Sequence, residues 1–161
     1  MRVICDSTVL IGLAKVGKLD VLKQIYKEIY IPEAVYNEVV SRGKGKPGVG
    51  EIANAQWIKK EPVKDKRTVD LLIAEMGYGE AEILVLGKEL NADWILVDDE
   101  RARSAAVSAG FNIIGLAGIL LLAKQLKLIT SIKPLLDELK NKNFRLSDKI
   151  YKEILKKAGE K

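Results

Sequence analysis

Apolar positions along the chain alternate between two spacings. Short unbroken runs recur at Arg2-Val3-Ile4-Cys5-Asp6, Glu28-Ile29-Tyr30-Ile31, Trp57 to Val63, Asp93-Trp94-Ile95-Leu96-Val97 and Phe111-Asn112-Ile113-Ile114. Runs this short, bounded by Pro, Gly or carboxylates, read as strands. Between them apolar residues fall three and four apart, the spacing of one helix face. The first such helix is expected over 8–16, stopped by Gly17 and resumed through Leu19, Val21, Leu22 and Ile25. Others are expected over 33–41, opened by Pro32, then over 66–76, from Gly79 through Leu90, and over 100–109, stopped by Gly110. Three more follow at 116–126, 132–140 and 147–157, the last with Ser147 as its cap. Strands that alternate with helices and are apolar throughout predict a parallel α/β sheet covered on both faces. The boundaries expected are an α/β domain over 1–117 and a helical C-terminal extension over 118–161, packed on the same domain.

The segment Ser41 to Gly50 breaks both spacings. Its glycines, Pro47 and basic residues Arg42, Lys44 and Lys46 predict a surface loop able to contact phosphate. The Gly-Lys-Ser/Thr ending of a nucleotide-binding P-loop is missing.

Composition narrows the chemistry. The chain has 161 residues, one Cys and no His, so disulfides within the chain, Cys/His zinc sites and His-based acid–base catalysis are excluded. Hydrolytic work would fall to carboxylates, Lys, Tyr, Ser/Thr, or a metal held by oxygen, which suits Mg²⁺ or Mn²⁺. Residues 118–161 hold 11 Lys/Arg against 5 Asp/Glu, whereas residues 1–117 hold 16 against 17, so the net +5 comes entirely from the extension. Such a segment fits a polyanionic partner, or equally a solvated lysine-rich face. No apolar stretch is long enough to span a membrane and the N-terminus does not resemble a signal peptide, so a soluble cytoplasmic protein is expected.

Acids stand where strands end and helices open. Asp6 ends the first strand; Asp98 and Asp99 end the Trp94–Val97 run; Glu80 lies in the first turn after Gly79. Each also has a structural explanation. Asp6 caps the next helix or takes part in chemistry, Asp98 or Asp99 caps helix 100–109, and Glu80 meets a positive helix terminus. Glu38, within helix 33–41, reads by default as solvated. If these acids converge, a divalent cation would relieve their repulsion and activate water.

In order along the chain, Val3-Ile4-Cys5-Asp6-Ser7-Thr8, Ile31-Pro32-Glu33-Ala34-Val35-Tyr36-Asn37-Glu38, Gly77-Tyr78-Gly79-Glu80 and Leu96-Val97-Asp98-Asp99 resemble the four acidic segments of PIN domains. Val97 stands where that family usually has Thr or Ser. The resemblance implies a three-layer α/β/α fold with a short, mainly parallel sheet, plus C-terminal helices. It implies catalytic Asp6, Glu38, Glu80 and Asp99, a metal on Asp6, Glu80, Asp98 or Asp99, and Ser7 in support. The activity implied is a Mg²⁺- or Mn²⁺-dependent endoribonuclease, with service as the toxin of a toxin–antitoxin pair and with RNA, an antitoxin protein and a second copy as partners. Arg42, Lys44, Lys46 and Arg101 are the expected RNA contacts. The alternative expectation is a weak or inactive PIN-like module that binds RNA or protein.

Overall fold

The structure is a computed structural model that describes residues 1–43, 45–46 and 48–161. Five strands form one sheet: β1 (Val3–Cys5), β2 (Ile29–Pro32), β3 (Ile58–Glu61), β4 (Trp94–Leu96) and β5 (Asn112–Ile114). Their order across the sheet is β3-β2-β1-β4-β5, and every pairing is parallel. The chain works outward from β1 in one direction, then returns to β1 and works outward in the other. The reversal lies between β1 and β4, where Val3, Ile4 and Cys5 stand opposite Trp94, Ile95 and Leu96.

Successive side chains of a strand point to opposite faces. Val3, Ile4 and Cys5 are all fully buried, so both faces of the central strand are covered. This is why the central strands are apolar throughout rather than alternating. The outer strand β3 alternates differently, with exposed Lys59 and Lys60, charges that discourage pairing with another chain.

Ten α-helices are present among the described residues: α1 (Ser7–Lys15), α2 (Asp20–Tyr26), α3 (Glu33–Tyr36), α4 (Val49–Asn54), α5 (Lys66–Leu72), α6 (Tyr78–Leu90), α7 (Glu100–Ser108), α8 (Leu116–Gln125), α9 (Lys133–Asn141) and α10 (Asp148–Lys157). Most elements expected from apolar spacing are present. Two local features are not in that spacing. The segment expected as one helix over 33–41 is α3 followed by a π-helical turn over Asn37–Ser41. The segment expected as loop to Gly50 already turns helical at Val49, because Gly48 adopts a left-handed conformation (φ 85°) that aims the chain into α4.

Pro32 ends β2 and cannot cap α3 with its side chain. Glu82 of α6 does so instead: its Oε1 accepts the Ala34 N–H at 2.9 Å, and the residue is buried. A buried carboxylate so far along the chain is tolerated because it meets orphan N–H groups at a positive helix end.

The C-terminal helices share the sheet's core. Ile119 and Leu120 of α8, Leu136 and Leu139 of α9, and Ile154 and Leu155 of α10 are buried in one continuous cluster with β1 and β4. Glu160 returns to the start of α9, accepting the Ile132 and Lys133 N–H groups at 2.8 and 3.0 Å and pairing with Lys124 at 2.8 Å. Among the described residues no helix is long and apolar enough to cross a membrane.

Candidate active site

In open parallel sheets the crevice for a ligand opens beyond the carboxyl ends of the two strands where the strand order reverses. Here those strands are β1 and β4, and the residues just past them are Asp6 and Val97-Asp98-Asp99. Asp6 caps α1, accepting the Val9 N–H on Oδ1 at 2.8 Å. Its other oxygen accepts the Asp98 N–H at 3.1 Å. The same side chain therefore starts a helix and ties the two strand ends together. Of the two readings the residue alone leaves open, the structure shows the cap, with the second oxygen at the sheet's reversal point.

Asp6 is only 3% exposed. Burial pushes its carboxyl up to about 7, against the pull of the two N–H bonds, and the negative charges of Asp98 and Glu80 push the same way. Asp98 is raised as well, chiefly by burial, with the Leu116 N–H and the Arg103 guanidinium opposing. Its Oδ1 accepts that Leu116 N–H at 3.1 Å, at the start of α8. Arg103 donates to the Val97 carbonyl at 2.9 Å. Gly115 makes this possible: a side chain there would collide with both Asp98 and Arg103.

Asp99 does different work. It is exposed, and its Oδ2 caps α7 by accepting the Ala102 N–H at 3.0 Å. Glu80, in the first turn of α6, folds back over Gly77. Glu38 lies on the π-helical turn, where its Oε2 accepts the Ser7 hydroxyl at 2.9 Å and its Oε1 fills the space a side chain on Gly79 would need. The Gly77-Tyr78-Gly79 segment thus has a steric reason: each glycine makes room for one carboxylate.

Glu80, Asp98 and Asp99 line one cleft of about 640 Å³, together with Lys15 and the Phe144-Arg145 segment. Glu38 lines a neighbouring apolar cavity of about 490 Å³ with Lys46, and Lys15 borders both. The acids form two groups. The charges of Asp98 and Glu80 act on Asp6, and Glu38 is hydrogen-bonded to Ser7. Arg42 and Lys46 are exposed after the π-helical turn, Lys44 lies outside the described residues, and Arg101 borders a different cleft with Glu75 and Met76. Glu82, Arg103 and Gly115 have no assignment from sequence. An Arg four residues after Asp99 is the one available signal among them.

The donor set is hard carboxylate oxygen. Among the described residues no three acidic or thiol groups stand close enough together to enclose an ion. Asp6 is buried and Asp98 partly buried, burial is the main reason both carboxyls are raised, and a divalent cation would favour their charged forms. The chemistry of the donors fits such an ion.

The family model for a PIN domain matches residues 2–160 of the chain. A search of curated proteins gives no match.

Proposed function

The chain belongs to the PIN-domain family, whose members are in general nucleases that use divalent metals, and from that premise we propose that it hydrolyses RNA phosphodiesters at the acid cleft. The observation that carries the reading is the placement of Asp6, buried, and Asp98, partly buried, at the sheet's reversal point, tied by the Asp98 N–H on Asp6 and both raised in proton affinity. Asp6, Asp98 and Glu80 would hold Mg²⁺ or Mn²⁺, with Asp99 at the exposed rim. The ion supplies a more acidic bound water and neutralises charge on the phosphoryl group.

The chain's own residues do the rest. The Val9 and Asp98 N–H groups hold the Asp6 carboxylate at the ends of β1 and β4. The Ser7 hydroxyl donates to Glu38 on the neighbouring cavity, from which Glu38 would serve as an acceptor for a proton or a water. Arg103 steadies Asp98 from behind, by its charge and by its bond to Val97. Arg42, Lys44, Lys46 and Arg101 remain proposed RNA contacts, the first three beside Glu38 in sequence. Service as a toxin, restraint by an antitoxin, assembly as a dimer and residence in the cytoplasm are proposals that family resemblance supports.

One observation favours a second reading. Because no three acidic side chains enclose a common point among the described residues, a domain that binds RNA or protein without cutting is the alternative. Identically purified wild type and Asp6→Asn, incubated with a mixed RNA panel in Mn²⁺, Mg²⁺ and EDTA, separate the two. Cleavage by wild type only, abolished by EDTA, is expected. Metal-dependent cleavage that survives Asp6→Asn would remove the acid cleft as its source.

A further inference from the structure

We propose that Arg145, on the connection between α9 and α10, holds a backbone phosphate of the nucleic-acid strand lying in the acid cleft. The nature of the strand rests on the nuclease reading; the place of the cation does not. The cleft is lined both by acids, Glu80, Asp98, Asp99 and Glu100, and by the C-terminal connection from Asn143 to Leu146. Asn143 ends α9 in a left-handed conformation (φ 63°), and the Phe144 N–H returns to the Leu139 carbonyl at 2.9 Å. The Phe144 ring packs against the core over Gly12, with a ring carbon 3.0 Å from where a side-chain carbon on that glycine would sit. Leu146 packs against the same core. Arg145 is thus fixed from both sides and itself exposed on the cleft wall.

Several cations of the C-terminal segment are engaged, as is Lys15, which borders the same cleft. Lys124, Lys133, Lys140 and Lys142 each pair with a carboxylate, and Lys15 donates to the Lys142 carbonyl at 3.1 Å. Among the described residues Arg145 makes no ion pair, although four acids, Glu80, Asp98, Asp99 and Glu100, border the same cleft. A guanidinium left unpaired there, on an anchored segment, matches the two-oxygen edge of a phosphate. The acids of the cleft would take the metal and Arg145 the strand's charge.

The test uses the full chain and two fluorescein-labelled twelve-nucleotide single strands of one sequence, one RNA and one DNA, in EDTA and in Mn²⁺. Anisotropy is read across a KCl series for wild type, Arg145→Ala, Arg145→Lys and the distant control Lys23→Ala. Arg145→Ala is expected to bind both strands roughly tenfold more weakly. Its slope of log affinity against log salt should fall by about 0.7, the loss of one phosphate contact on a single strand. Arg145→Lys should restore the slope, Lys23→Ala should behave as wild type, and the melting temperature of Arg145→Ala should be unchanged. Wild-type affinity and slope in Arg145→Ala overturn the assignment, as does a wild type that binds neither strand. A loss confined to RNA also overturns it, since the contact would then be to the 2′-hydroxyl. Binding that depends on Arg145 without cleavage in Mn²⁺ sinks the nuclease reading and leaves the phosphate contact standing.

Discussion

Asp6 shows what one residue must reconcile. Its two oxygens each accept a backbone N–H, which favours the charged form, while burial and the charges of Asp98 and Glu80 favour the neutral one. Burial is the larger effect, and the carboxyl lies at about 7 against an ordinary value near 3.8. The folded state therefore binds this proton more tightly than the unfolded chain. The stability it contributes is full below the unfolded value and is lost as pH rises from about 4 to about 7. Without divalent metal, urea denaturation of the wild type should show a loss on the order of 4 kcal/mol across that window. Asp6→Asn should remove most of the slope. A flat wild-type profile in EDTA would mean that Asp6 is ionised throughout. Legibility at this scale is partial. An acid at a strand end followed by Ser-Thr can be read as a cap or as a ligand, and only the neighbour Asp98, 92 positions away in sequence, shows that both oxygens are in use.

Elements meet through residues that repair each other's ends. Glu82 of α6 caps α3, and Glu160 caps α9 while pairing with Lys124 of α8. Burial pushes the Glu160 carboxyl up, but Lys124 and the two N–H groups outweigh it and hold it below its ordinary value. Its contribution is present at neutral pH and is lost as pH falls through that lowered value. Glu160→Ala should cost about 1–3 kcal/mol at pH 7 in urea denaturation, since it leaves two N–H groups and a half-buried ammonium without their acceptor. The cost should shrink at pH 3; an equal cost at both pH values would assign it to lost packing. Helices were legible from their apolar spacing and from caps such as Ser147, whose hydroxyl accepts the Ile150 N–H at 3.2 Å. The π-helical turn was not. It preserves the apolar stripe of Val35 and Val39 and changes only the hydrogen-bond register, which no side-chain spacing records.

The sheet's order places the site for the whole molecule. With β1 and β4 adjacent and parallel, the residues just beyond both strands must be neighbours, and Asp98 rather than Asp99 is the one that meets Asp6. Addition of Mn²⁺ should raise the melting temperature of the wild type. That rise should be abolished in Asp98→Asn and largely kept in Asp99→Asn, because Asn is as good a helix cap as Asp. The reverse ranking would make Asp99 the ligand and Asp98 a structural bridge to α8.

The sequence by itself determined the α/β class, the near-continuous apolar strands, the lack of imidazole chemistry and the ordered series of acids. Each is a local property: strand and helix periods are written in neighbouring residues, and an absent residue type is absent in any fold. Tertiary structure alone decided which acids act on one another. It set Asp6 against Asp98, turned Asp99 to its helix, paired Glu38 with Ser7, and brought Arg145 to the cleft that Asp98 and Asp99 line. The reason is that adjacent residues point in different directions at a strand's end, and burial, which shifts the Asp6 and Asp98 carboxyls most, comes from parts of the chain far away in sequence.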